Sequence, residues 1–292
     1  MEALKSIFKN IHQYEIKIRK AVQNNMHGDF NSIFKGTGIE FDDVRPYQYG
    51  DDTRTIDWNV SAKGHGVYVK TFKEDKDLNI FFVLDVSASL TVRDENKINL
   101  AKEVSGVLAL VGARLNCKIG LLAFSDQNEL VTKTAKGKNH FYSILSRLIK
   151  LEPKSKLTSI DKMIRTVNLV NPKRSIIFVI SDFLDNNYEK TLSHLASKHD
   201  VIAIHIDDIM DGKIPSLGIL QVQDSESGKS VWLNSSFGSD RKGLKKNIEE
   251  TSSNLDSFCK RNQIDYLKLN TGESYTKSLI QLFQKRNRYW KK

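Results

Sequence analysis

Asp85, Ser87 and Ser89 stand at alternate positions at the end of an apolar run, Asn79-Ile-Phe-Phe-Val-Leu, that reads as a buried strand. One carboxylate and two hydroxyls leaving a strand together are hard oxygen donors. They suit Mg²⁺ or Mn²⁺, whose near-octahedral shells keep positions for water or an outside ligand. Two other segments can add donors. Arg174-Ser-Ile-Ile-Phe-Val-Ile-Ser181-Asp182 is a second buried-strand pattern ending in a carboxylate, and Lys156-Leu-Thr158-Ser-Ile offers a hydroxyl before a helical stretch. The candidate metal ligands are therefore Asp85, Ser87, Ser89, Thr158 and Asp182, with Asp182 acting directly or through a water. Each also has an ordinary local job: Ser87 and Ser89 can cap the next helix, Thr158 can be an N-cap and Asp182 can begin a turn. Their order, and the elements they end or begin, favour the metal reading of the set.

The elements that must position these groups alternate. Strands are expected near 79–85, 118–124, 175–181, 201–206 and 264–269, and helices near 96–115, 137–149, 159–170, 187–198, 240–262 and 274–287. That rhythm predicts an α/β fold with a doubly wound, mostly parallel sheet, whose ligands gather beyond the C-terminal ends of the strands. Alternating residues between Leu217 and Leu233, with Gly228 among them, predict a late β-hairpin insertion near 215–235. Residues 1–76 lack the rhythm and read as an N-terminal extension to a domain spanning 77–292. Leu4, Ile7, Phe8, Ile11, Tyr14 and Ile18 fall at helical spacing, which predicts an amphipathic helix docking on the core, with a membrane-surface helix as the alternative.

The Asp-x-Ser-x-Ser, Thr and Asp pattern resembles the metal-ion-dependent adhesion site (MIDAS) of von Willebrand factor A domains. A second signature, running from Gly36-Thr-Gly38-Ile-Glu40-Phe41 through Arg45-Pro-Tyr47 and Gly50-Asp51-Asp52 to Asp57-Trp58 and continued by Val69-Lys70-Thr-Phe72, is similar to the hallmark of the bacterial domain-of-unknown-function family 58 (DUF58). Pro215-Ser-Leu-Gly218, Asp224-Ser-Glu226-Ser-Gly228 and the ending Phe283-Gln-Lys-Arg286 are similar to it too, so the resemblance covers about residues 26–288. Lys63 and Leu90 depart from the residues usual there, and neither is a candidate ligand. The resemblance implies a von Willebrand A-like fold and an adaptor more than a catalyst. It implies a partner of MoxR-type AAA+ ATPases that helps assemble or mature protein complexes, with the metal taking an acidic side chain of the partner.

Other classes fit less well. A phosphotransferase aspartate needs a second carboxylate two positions on, where Ser87 stands. No Gly-x-Ser-x-Gly elbow or Gly-x-x-x-x-Gly-Lys loop occurs, so the chain is not expected to be an enzyme, with an Mg²⁺-dependent phosphoryl hydrolase as the alternative function. A net charge of +10 and the tail Lys285-Arg286-Asn-Arg288-Tyr-Trp290-Lys291-Lys292 raise nucleic acid as a less favoured alternative. The lysines are spread along the whole chain, which describes a solvated surface, so no nucleic-acid partner is expected. The same tail could make peripheral membrane contact. Apolar runs are strand-length, and the start of the chain lacks a secretory pattern, which predicts a cytoplasmic protein. Cys117 and Cys259 read as buried free thiols, and the seven histidines show no ligand spacing.

The segment from Gly36 to Trp58 is acidic within this basic chain. Arg45, Arg54 and Asp57 are expected to lock its fold while Phe41, Tyr47 and Trp58 pack, leaving Asp51 and Asp52 exposed.

Overall fold

The structure is a computed structural model of the 292-residue chain. It describes residues 40–64, 66–73, 78–91, 96–155, 157–185, 187–208, 219–223, 230–234 and 238–290. The expected helix over Leu4–Ile18 lies outside them. Residues Phe34–Leu78 belong to one compact unit and Asn79–Lys292 to another.

In the smaller unit, β1 (Glu40–Pro46) pairs antiparallel with β2 (Tyr68–Lys73), and a short α1 (Trp58–Ser61) lies between them in sequence. The turn between β1 and α1 is set by a fork of two bonds: both terminal nitrogens of Arg45 reach the two oxygens of Asp51 at 2.7 Å. Asp51 also accepts the Gln48 amide at 2.8 Å. Planar guanidinium matches planar carboxylate, and these bonds hold Asp51 below the usual carboxylate range. Asp57 starts α1 by accepting the Asn59 and Val60 amides at 3.0 and 3.2 Å. Arg45 and Asp57 thus take the locking roles expected of them. Two details differ from expectation. Asp51 is half-buried in its pair, and Trp58 is 70% exposed, because a four-residue helix with no buried residue offers its indole nothing to pack beneath.

The larger unit contains β3 (Asn79–Asp85), α2 (Ala88–Thr91), α3 (Asn96–Arg114), β4 (Lys118–Phe124), β5 (Asn128–Ala135) and α4 (Lys138–Ile149). It continues with α5 (Ile160–Val170), β6 (Ile176–Ser181), α6 (Glu189–Lys198) and β7 (Asp200–Asp207). The hairpin strands β8 (Ile219–Gln223) and β9 (Ser230–Asn234) follow, then α7 (Gly238–Arg261), β10 (Asp265–Asn270) and α8 (Tyr275–Trp290). Six strands form one sheet in the order β10-β7-β6-β3-β4-β5, parallel except for β5 at the edge. This is the expected α/β, doubly wound and mostly parallel sheet. The expected strands and helices are present with ends moved by a few residues. β5, an edge strand carrying Glu129 and Lys133, is an addition to them.

Both faces of the central strands are covered, which is why they read as unbroken apolar runs. Phe81 and Val83 of β3 and Ile177 and Val179 of β6 join a cluster with Ile164 and Val167 of α5, Leu192 and Leu195 of α6, and Leu255 and Cys259 of α7. On neighbouring strands Phe82 and Phe178 stack at 5.3 Å. Gly112 lets α3 approach the sheet, since a Cβ there would meet Ile80 Cδ1 at 2.6 Å. Cys117 and Cys259 are buried free thiols, as expected.

The topology places the site. From β3 the chain moves one way to β4 and β5, then returns past β3 to β6, β7 and β10 on the other side. The C-terminal ends of β3 and its neighbours are therefore a switch point, where the loops leaving adjacent strands diverge. Among the described residues no helix is long and apolar enough to cross a membrane.

Candidate metal centre

Asp85 is the last residue of β3, and its carboxylate is 1% exposed. One oxygen accepts the Ser87 amide at 2.9 Å and the other accepts the Ser181 hydroxyl at 2.7 Å. The carboxylate is thereby fixed from its own loop and from the end of the adjacent strand β6. Ser87 is fully buried, and its Oγ lies 3.0 Å from Ser89 Oγ at the start of α2. Between Asp85 and Ser87, the Val86 amide donates to the Phe124 carbonyl at 2.9 Å. This ties the loop to the end of β4.

The same strand end holds the Thr158 loop, because the Ser159 amide donates to the Ser125 carbonyl at 3.3 Å. Thr158 is half-buried there. The N-cap position of α5 falls on Ser159, which makes no side-chain capping bond. The Ile160 amide is satisfied instead by Asp185, at 2.7 Å from its Oδ2, so the loops after β6 and before α5 are braced to one another. Glu129 of β5 adds a further brace by accepting the Ser155 amide at 3.1 Å and the Ser125 hydroxyl at 2.9 Å.

Asp182 follows β6 and is 3% exposed. Its Oδ1 accepts the Leu184 amide at 3.3 Å, so it does begin a turn. Phe183, between them, has φ 53, a left-handed conformation that a bulky side chain adopts only when its surroundings impose it. Those surroundings are visible. Its amide donates to Ser181 Oγ at 2.9 Å, and its ring packs against Tyr188 and edge-on to His205. A sharp bend at Phe183 thus turns the chain directly beside Asp85 and Asp182.

Electrostatics sets the character of the site. Burial first, and the charge of Asp182 second, push the Asp85 carboxyl up to about 7, against the lowering effect of its bonds from Ser87 and Ser181. A cation held by Asp85 and Asp182 would reverse the dominant cost, since attraction would replace both lost hydration and mutual repulsion. All the donors in the proposed set are oxygens. Among the described residues no group of three or more His, Cys, Asp or Glu side chains forms a metal cluster, so a cation here depends on hydroxyls beside two carboxylates. That composition fits Mg²⁺ or Mn²⁺ and disfavours softer ions that prefer sulfur or imidazole.

The structure brings Asp85, Ser87 and Ser89 together through hydrogen bonds and sets Asp182 close enough for its charge to act on Asp85. It holds the Thr158 loop against the strand next to Asp85. Sequence reasoning missed the bracing roles of Ser181, Asp185 and Glu129. Ser181 precedes a candidate ligand, but its bond to Asp85 follows only once β6 is known to lie beside β3.

A family model described as "Protein of unknown function DUF58" matches residues 43–254. Uncharacterized protein Rv1480 of Mycobacterium tuberculosis is 27% identical over 219 residues, covering 73% of this chain and 69% of that protein. Uncharacterized protein Mb1516 of Mycobacterium bovis gives the same figures, 27%, 73% and 69%. Among solved structures, BatB of Bacteroides thetaiotaomicron is 16% identical, with a TM-score of 0.45 over 72% of this chain and 99% of that one. The SpRpn10 VWA domain is 12% identical, with a TM-score of 0.37 over 71% of this chain and 94% of that one. These structural likenesses are too distant to assign a residue or a role.

Proposed function

The chain belongs to the DUF58 family, and we propose that it is a metal-dependent protein-interaction module that recognises an acidic side chain of a partner protein. The observation that carries this reading is the buried Asp85 carboxylate, held by the Ser87 amide and the Ser181 hydroxyl beside Asp182 at the switch point of the sheet. Asp85, Ser87, Ser89 and Thr158 would hold Mg²⁺ or Mn²⁺, with Asp182 direct or through a water. When bound, the ion supplies a coordination position that a partner carboxylate can take from water.

The protein's own groups do the rest. The Ser87 amide and Ser181 hydroxyl orient Asp85 before any ligand arrives, which lowers the ordering cost of binding. Two carboxylates balance a divalent charge, so a further carboxylate from outside is not repelled by excess negative charge on the protein side. No catalytic role is proposed. Ser87 stands where a nucleophilic aspartate would need an acid–base carboxylate, so hydrolysis of phosphate esters is not expected.

The finer part of the proposal names the partner as a MoxR-type AAA+ ATPase, with assembly or maturation of protein complexes as the process. Its basis is the family resemblance. Copurification with the MoxR-type ATPase of the same organism tests it, using wild type and Asp85→Ala, each with Mg²⁺ and with chelator. Capture by metal-loaded wild type alone is the expected result, whereas equal capture in all four conditions would exclude a metal-completed contact.

A further inference from the structure

Two exposed leucines adjoin proposed ligands in the sequence. In the larger unit the exposed large apolar side chains among the described residues are Tyr142, Leu157, Leu169 and Leu184. Two of these four stand within two residues of proposed ligands: Leu157 immediately precedes Thr158, and Leu184 follows Asp182 by two. They are 46% and 59% exposed. A single exposed leucine is ordinary on any surface and calls for no explanation. These two differ because the loops that carry them are fastened together and to the site. Asp185, next to Leu184, accepts the amide of Ile160, three residues after Leu157. The Leu184 amide itself donates to Asp182. The Leu157 amide is bonded to Ser155 Oγ at 3.3 Å, and Ser155 is held by Glu129. Both side chains are thus carried on braced backbone, so little ordering is required when a partner covers them.

We infer that Leu157 and Leu184 form an apolar rim to the metal site, and that the partner segment presents an acidic side chain flanked by apolar ones. This rests on the metal-dependent reading above and specifies its partner. Charge complementarity commits the occupant. The cation asks for a carboxylate at the centre, and leucines beside it disfavour a second charge there while rewarding apolar neighbours. A short extended segment with a leucine two residues to either side of a glutamate has that chemistry, because alternate side chains share one face. A contact of this kind combines an oriented polar anchor with a surrounding surface that excludes water from it.

The test uses the full chain with Mn²⁺ and two synthetic peptides, acetyl-Leu-Gly-Glu-Gly-Leu-amide and acetyl-Ser-Gly-Glu-Gly-Ser-amide. Mn²⁺ occupancy is followed by electron paramagnetic resonance and peptide affinity by calorimetry. Wild type is expected to bind the leucine peptide about tenfold more tightly than the serine peptide, the scale set by covering two partly exposed leucines. The double variant Leu157→Ser, Leu184→Ser is expected to keep its Mn²⁺ affinity and to bind both peptides equally. Both positions are exposed, so the variant should fold. If wild type binds both peptides equally in a metal-dependent way, or the leucine preference survives in the double variant, the rim is overturned while the metal site stands. If Mn²⁺ is not held, or neither peptide binds the Mn²⁺-loaded protein, the underlying reading fails and the rim falls with it.

Discussion

The two ends of the central sheet each gather a pair of aspartates, and they handle the charge differently. At the N-terminal ends of β7 and β10, Asp200 and Asp265 both bond to Arg286 of α8, whose side chain is 4% exposed. The protein carries its own cation there, a fixed guanidinium with donors for both carboxylates. At the other end, Asp85 and Asp182 meet hydroxyls and amides, and Asp85 is pushed up by burial and by its neighbour. One end is a permanent clasp that fastens the C-terminal helix to the sheet. On the proposed reading, the other takes its cation from outside the chain. On that reading, the same pair of residue types is structural or functional according to whether its countercharge is covalently supplied.

The largest effect expected of breaking this contrast is at the clasp. Arg286→Met leaves two carboxylates partly buried without their cation and should destabilise the fold by about 3 kcal/mol, measured by urea unfolding. A loss below the error of the measurement would mean that the clasp contributes little. Toward the candidate-site end lies His205, which pairs in register with Ser181 and contacts the Tyr266 hydroxyl at 2.7 Å. Burial pushes it down to about 4, with Asp207 opposing and Lys268 and Lys97 assisting. The unfolded chain then binds a proton that the folded state resists, so stability is full above pH of about 6.5 and is lost as pH falls toward about 4, by roughly 3 kcal/mol at most. Urea midpoints between these limits should flatten in His205→Gln.

The third effect runs the other way. Because Asp85 is raised, the folded state holds its proton through a window in which the unfolded chain has lost it, and metal-free stability falls as pH rises through about 4 to 7. At pH 8 without metal, Asp85→Asn should be more stable than wild type by about 1–2 kcal/mol. Saturating Mg²⁺ should invert the order, since a ligand at a hundred times its dissociation constant adds about 2.7 kcal/mol to wild type alone. Thermal melts with Mg²⁺ and with chelator check both statements. The smallest change sharpens the site: Ser181→Ala, which removes the bond orienting Asp85, should weaken Mn²⁺ binding about tenfold while leaving the fold intact.

What could be seen from sequence follows the same division. β3 and β6 were legible because burial on both faces writes a continuous apolar run, and the Asp85 loop because its donors are two residues apart. β5 was not, because an antiparallel edge strand with one covered face and charges at Glu129 and Lys133 has a weak pattern. Ser181 and Asp185 act across 96 and 25 residues of sequence, and the Ser181 partnership follows from strand order. The Arg286 clasp was visible only as part of a family ending, its partners lying on two strands, 21 and 86 residues back in sequence. Trp58 was expected to pack because tryptophan usually does, and the four-residue helix that carries it gives it no shelter.

Mn²⁺ titration of the full chain, followed by electron paramagnetic resonance for wild type and Asp85→Asn at pH 7.5, addresses the central claim most directly. The account predicts one saturable site in wild type that is lost in the variant while the variant remains folded. Equal binding by the two proteins, or no saturable binding by wild type, would contradict it.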